Sequence, residues 1–251
     1  MSAAQPANVS AAAPVLSLRG VHTHIGPYHI LHGVDLAVPA GSVTMLLGRN
    51  GVGKTTTLRT IMGLWRASAG EVSLLGQPIA AMSTPDIARM GVAYVPENMG
   101  IFADLSVREN LWLAAREAAR PQAMREEVLA RIFGFFPALK TFWQHPAGKL
   151  SGGQKQMLAI ARAMIEPRAL LLVDEPSKGL APAIVDNMVE AFAALKREGA
   201  TILLVEQNVS VAQRLGDHVV VMDDGRCVHS GEMAAFAADP DLQAKFLGLS
   251  Q

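Results

Sequence analysis

The run Gly48-Arg49-Asn50-Gly51-Val52-Gly53-Lys54-Thr55-Thr56 sets three glycines beside a lysine and two hydroxyls. It follows the apolar stretch Val43–Leu47, opens a helix-forming pattern, and fits the phosphate-loop spacing of Gly, four residues, Gly-Lys-Ser/Thr. Gly48, Gly51 and Gly53 allow positive φ angles and close backbone approach, so that successive N–H groups can wrap an anion. Those amides would cradle a β-phosphate, Lys54 would add a point charge for the β- and γ-phosphates, and Thr55 would offer a hydroxyl to Mg²⁺.

A second constellation lies downstream. Leu170-Leu171-Leu172-Val173 runs into Asp174-Glu175, an apolar strand delivering two carboxylates at its C-terminal end. Such strand ends are where α/β sheets bind ligands. A carboxylate there needs a partner, and Mg²⁺ is the natural one for Asp174. Glu175 points differently and could accept the proton of an attacking water as general base. About twenty residues earlier, Leu150-Ser151-Gly152-Gly153-Gln154 opens a helix with Ser151 as N-cap. On spacing alone this is either a plain glycine-rich helix start or a second phosphate-binding helix end.

The elements that must hold these groups read as α/β. Residues 15–19 and 30–38 look like strands of an N-terminal antiparallel layer, the second alternating as Leu31, Val34, Leu36 and Val38. Helix 56–64, strand 71–75, a capping box at Ser83–Asp86 and a buried strand Val92–Val95 follow. Ser106–Glu109 is a second capping box, opening a helix predicted to run to Arg120 before Pro121 interrupts it. Residues 98–165 show no strand signal and are expected to be a helical insertion between core strands. Helix 182–198, strand 201–206 and a hairpin around Asp223-Asp224-Gly225-Arg226 complete the pattern.

Lys plus Arg and Asp plus Glu each total 22 in 251 residues, giving no overall basic field of the kind nucleic-acid binding needs. The single cysteine, Cys227, excludes an intramolecular disulfide and fits a reducing compartment. Half the residues are hydrophobic, yet runs such as 169–173 and 218–222 are far below the ~20 residues a bilayer span requires. They fit parallel strands buried on both faces. Residues 1–14, rich in Ala, Ser and Pro, read as a disordered tail rather than a signal peptide, and 15–251 as one domain in the cytoplasm. His22, His24, His29 and His32 match no closed metal site. Trp112, Phe133, Phe135, Phe136, Phe142 and Trp143 would build the core of the helical lobe or a groove for a membrane partner.

Taken together, the phosphate loop, Leu150–Gln154 and the Asp174-Glu175 strand resemble, in order and spacing, the ATP-binding cassette (ABC) ATPases over nearly the whole chain from about Val15. The resemblance implies a P-loop NTPase fold of the ABC type, ATP and Mg²⁺ as ligands, and two cassettes facing head to tail. Each ATP is then held between one phosphate loop and the other cassette's Leu-Ser-Gly-Gly-Gln helix. Four positions depart from the general family pattern. Glu97 stands where a glutamine is usual, Gln207 replaces the switch histidine, Ala181 replaces an aspartate, and Ile25 takes the place of the aromatic that stacks on adenine.

The first three resemble the subgroup serving bacterial importers of branched-chain amino acids and the related urea or amide importers. Met62-Gly63-Leu64 and the Phe246-Leu247-Gly248 ending point the same way, and the chain stopping at Gln251 leaves no room for an added regulatory domain. Gln207 can donate an amide hydrogen bond to a γ-phosphate but cannot carry charge, and Glu97 could approach Mg²⁺ directly or through water. Ile25 gives the base van der Waals contact alone. The resemblance implies two integral permease subunits, a second and different cassette chain, an indirect periplasmic solute-binding protein, and attachment to the cytoplasmic face of the inner membrane. Residues 97–109 are the expected coupling surface. The rivals are a soluble cassette ATPase outside transport and a nucleotide-binding subunit without turnover.

Overall fold

A computed structural model describes residues 13–116 and 119–247. Most of the predicted tail and the final Gly248 lie outside them. In chain order the elements are β1 (Leu16–Ile25), β2 (Tyr28–Val38), β3 (Val43–Leu47), α1 (Lys54–Ile61), β4 (Ala67–Leu74), β5 (Gln77–Pro78), α2 (Thr84–Arg89) and β6 (Val92–Val95). The helical segment holds α3 (Val107–Ala114), α4 (Arg120–Ala123), α5 (Glu126–Phe135), α6 (Pro137–Thr141) and α7 (Gly152–Met164). Then come β7 (Leu170–Asp174), α8 (Pro182–Arg197), β8 (Ile202–Val205), α9 (Val209–Leu215), β9 (His218–Asp223), β10 (Arg226–Glu232), α10 (Met233–Ala237) and α11 (Pro240–Leu247).

Two sheets form. The core sheet runs β10-β9-β3-β8-β7-β6, parallel except for its β9–β10 edge, and the other is the antiparallel layer β2-β1-β4-β5. The all-apolar core strands are explained by burial on both faces. Val43, Met45, Leu171, Val173, Ile202 and Leu204 face the helices, whereas Leu46, Leu170, Leu172, Leu203 and Val205 face the antiparallel layer. Each strand alternates between two cores, so neither face tolerates a charge until the strand ends.

The register brings those ends together. Leu46 pairs with Val205, Asp174 pairs with Val205, and Val95 pairs with Val173, so β3, β8, β7 and β6 all stop at one edge of the sheet. At the opposite edge strand, β9 and β10 are joined by Asp224-Gly225, both at positive φ (43° and 69°), the backbone a two-residue hairpin demands. A Cβ on Gly225 would sit 2.2 Å from the Ile30 carbonyl oxygen, so this turn also packs against β2.

Three local expectations change. The helix opened by Ser106 ends at Ala114 rather than Arg120, because Ala115 turns extended (φ −76°, ψ 140°), and Pro121 sits in the first turn of α4 instead of ending α3. At Ser83 the hydroxyl does accept from the Asp86 amide, but the Asp86 carboxylate takes the Ser83 hydroxyl at 2.6 Å, since aspartate is one methylene short of closing a full box. Strand β1 continues past Arg19 to Ile25 through bulges at Leu18/Val21 and Thr23/His24. The aromatic residues divide: Phe136 is fully buried, Phe133, Phe135, Phe142 and Trp143 pack against the core partly buried, and Trp112 is exposed.

Candidate functional site

The phosphate loop bridges β3 to α1 at the strand-end edge. Gly48, Gly51 and Gly53 take φ angles of 143°, 82° and 105°. A side chain at Gly48 would place Cβ 2.4 Å from the Met222 carbonyl oxygen, and one at Gly53 would place it 2.8 Å from Leu31, so the cradle admits no Cβ at either position. Lys54 is buried (4% exposed) and its Nζ donates to the carbonyls of Gly48 and Arg49, 2.8 Å each, holding the loop in a ring. Burial lowers its pKa, against the pull of Glu175 and Asp174. Beside the loop lies a cavity of about 300 Å³, walled by Asn50, Gly51, Gly53, Lys54, Thr55 and Thr56 on one side. Ile30, Glu97, Glu175 and Lys178 close the other.

Glu175 lines the same cavity, and Asp174 lies behind it, bonded to the lining residue Thr55. Asp174 is fully buried; its Oδ1 accepts from the Thr55 hydroxyl at 3.1 Å and its Oδ2 from the Tyr94 hydroxyl at 3.3 Å. Burial raises its pKa, offset in part by those two donors, and burial also pushes Tyr94 up to about 12. Glu175 stands in the left-handed region (φ 47°), an unfavourable backbone for a non-glycine residue that turns its side chain away from Asp174 toward the loop. Its Oε1 accepts from Gln207 Nε2 at 2.6 Å and lies 3.8 Å from Lys54 Nζ. Gln207 Nε2 also reaches Asn50 Oδ1 at 2.6 Å, so one amide spans the phosphate loop and the acidic strand end.

The comparisons with known proteins bear on this arrangement. Residues 31–178 match the ABC transporter family. The chain belongs to that family. It is an ATP-binding cassette, an ATPase. The high-affinity branched-chain amino acid transport ATP-binding protein BraG of Pseudomonas aeruginosa is 37% identical over 93% of the cassette and 100% of its own length. A probable branched-chain amino acid transport ATP-binding protein, LivF of Archaeoglobus fulgidus, is 37% identical over 81% of the cassette and 86% of its own length. Among solved structures, an ATP-binding subunit of an ABC transporter superposes with TM-score 0.78 at 28% identity, covering 93% of this chain and 96% of that one. The ADP conformation of another ABC transporter cassette gives TM-score 0.74 at 25% identity over 92% and 97%.

Of the sequence candidates, Val52 and Asp174 are buried, Gly48, Arg49 and Gln207 line a second cavity that shares Asn50, and Ile25 and Leu150 to Gln154 stand apart from the first. Ile25 ends β1 and does not line it; the apolar wall residue is Ile30, brought there by the hairpin of β1 and β2. Leu150 to Gln154 also lie outside it. Leu150 is buried, Ser151 and Gln154 close a complete capping box, and Gly152 is exposed at the start of α7. Glu97 does line the cavity, but its carboxylate accepts from Lys178 Nζ at 2.6 Å.

Sequence reasoning passed over two residues here. Lys178, whose Nζ sits 3.4 Å from Glu175 Oε2, bridges Glu97 and Glu175, and the Glu97 hydrogen bond first, then Glu175, raises its pKa. Glu206 is buried behind Gln207 and hydrogen-bonded to Ser177. Their signals were present but weak: a lysine three residues after a strand-end carboxylate, and a glutamate interrupting the apolar end of β8. In the N-terminal layer His22 and His24 stack on His29, and His32 tilts against it, with the His24 and His29 rings 4.1 Å apart and nearly parallel. Among the described residues no three His, Cys, Asp or Glu are grouped as a metal cage.

Proposed function

We propose that this cassette is the ATP-hydrolysing subunit of a bacterial importer of branched-chain amino acids. The observation that carries the reading is the match to BraG, 37% identical along that protein's entire length. In this reading the amides of Gly51 to Thr55 and the Lys54 ammonium hold the β- and γ-phosphates of ATP, with Gly48, Arg49, Asn50, Val52 and Thr56 shaping the loop.

Mg²⁺ fits the donor set, since a hard cation held by one or two protein oxygens plus phosphates needs no protein cage, and Thr55 and Asp174 already share a hydrogen bond. Bound there, it would neutralise developing phosphate charge. Glu97 would join its shell once Lys178 lets go. Glu175 takes the proton of the attacking water, and Gln207, already on its Oε1, orients carboxylate and γ-phosphate together. Leu150, Ser151, Gly152, Gly153 and Gln154 serve the ATP of a second cassette, with Leu150 buried as the anchor and Ser151 and Gly152 exposed at the start of α7, outside this chain's own cavity.

Among the described residues no helix is long and apolar enough to cross a membrane, so attachment would come from permease subunits. A groove of about 350 Å³ lies between the β6 edge of the core sheet and the helical lobe, lined by Met62, Tyr94, Pro96, Met99 and Arg162. Phe102, Trp112 and Leu113 are exposed on that lobe, large apolar side chains suited to receiving a helix of a membrane partner. The test is affinity purification of the chain from detergent-solubilised native membranes. Two multi-span subunits and a second cassette should copurify, and disrupting the gene should abolish leucine uptake. Recovery without membrane proteins, or uptake lost for urea or an amide instead, would overturn the assignment.

A further inference from the structure

The loops after β7 and β8 carry Glu175 and Gln207, and both hang from a group outside the chemistry. Glu206 is 2% exposed, and its carboxylate receives four hydrogen bonds from those two loops. Ser177 donates its amide to Oε1 at 3.0 Å and its hydroxyl to Oε2 at 2.8 Å. The amides of Gln207 and Asn208 donate to Oε2 at 3.1 and 3.2 Å. Helix α9 does not need this carboxylate as a cap, because Asn208 caps it with its own side chain on Ser210 and Val211. The backbone register alone ties the strands only as far as the Glu175 amide on the Val205 carbonyl. Beyond that point Glu206 is the connection. On one side of it Ser177 stands two residues from Glu175, and on the other Gln207 donates to the Glu175 carboxylate, so the three groups close a ring.

We propose that Glu206 is a positioning residue for ATP hydrolysis, bracing the Ser177 and Gln207 loops so that the Glu175 carboxylate and the Gln207 amide are held in one geometry. An anion suits the task because every group facing it is a donor, and water excluded from the site cannot replace it. In Glu206→Gln one oxygen becomes an NH₂ that faces donors, which repels at least one loop without emptying the space. The Lys54 contacts that close the phosphate loop do not involve Glu206. The inference rests on the ATPase activity of the family and not on the cargo.

The experiment measures steady-state ATP hydrolysis by the full chain, affinity-purified with its copurifying partners, together with its affinity for Mg·ADP and its melting temperature. Glu206→Gln is expected to lower kcat about tenfold or more, with KM and Mg·ADP affinity within about threefold of wild type. Ser177→Ala, which removes one donor and leaves the buried charge, should lower kcat to a lesser degree, and the double variant should be no slower than Glu206→Gln alone. A kcat within about twofold of wild type in Glu206→Gln would overturn the proposal. So would a kcat loss matched by an equal loss of Mg·ADP affinity and of melting temperature, with Ser177→Ala neutral, since that marks a merely structural carboxylate.

Discussion

In the proposed mechanism Lys54 and Glu175 divide the work of the site, and their environments say how each will respond to substitution. Lys54 is buried, donates to two loop carbonyls and presents the one ammonium of the cradle, so Lys54→Ala should weaken nucleotide binding by about tenfold or more, read by Mg·ADP titration. Glu175→Gln keeps shape but cannot take a proton. It should lower kcat by about 10²–10⁴ while ATP affinity persists, so that filter-retained ATP accumulates on the variant. A retained rate would remove Glu175 from the role of base. Cys227 gives a prediction in pH. Burial pushes its thiol up from 9.0 to about 12, so at pH 8 the thiolate fraction should be about a thousandfold below that of an exposed thiol. Iodoacetamide should therefore label native protein far more slowly than urea-unfolded protein. Because the folded pKa is the raised one, the unfolded thiol ionises first, and stability falls as pH rises above about 9.

At the level of elements, the site depends on how helices and turns are stopped. Ser106 closes a full capping box with Glu109, and Asn110 one turn on is fully buried, its amide bonded to the carbonyls of Phe102, Leu105 and Ser106 and its oxygen to the Phe102 amide. Together they fix the loop that carries the exposed Phe102. Ser106→Ala should cost about 1 kcal/mol, seen as a melting shift of about 2–4 °C, with ATPase activity unchanged. Much of the fold at this scale was legible: β3, β6, β7 and β8 announce themselves as short apolar runs, and the caps at Ser106 and Ser151 are read directly. The early stop of α3 was not, because Ala115 leaves the helix although alanine is the best helix former, and tertiary contact overrides propensity there.

Across the whole molecule, the segment Leu150–Gln154 and the phosphate loop occupy different parts of one chain, and the first is not in the wall of the second's cavity. In the head-to-tail arrangement proposed above, a complete site needs another cassette. If that cassette is a second copy, hydrolysis per chain should rise with protein concentration; if it is a different chain, this protein alone should bind nucleotide but turn over slowly until the partner is added. Ser151→Arg should abolish turnover in the assembled complex while leaving Mg·ADP affinity of the chain unchanged, a split that a merely local defect in α7 would not give.

The residues of the phosphate loop, Asp174 and Glu175 could be named from sequence because their chemistry is written in residue type and short spacing: glycines at positive φ, a lysine and hydroxyl next to them, carboxylates where an apolar run ends. The parallel core could be named for the same reason, since only a strand buried on both faces is apolar without alternation. What the tertiary structure alone decided is which strand ends meet. Register brings Asp174 beside Val205 and so Glu175 beside Glu206 and Gln207, positions more than thirty residues apart in sequence whose pairing no local pattern encodes. It also put Ile30 rather than Ile25 in the cavity wall, because bulges in the β1–β2 pair shift which residue faces inward. Long-range hydrogen bonding sets these contacts, and sequence spacing carries no information about it until the sheet has formed.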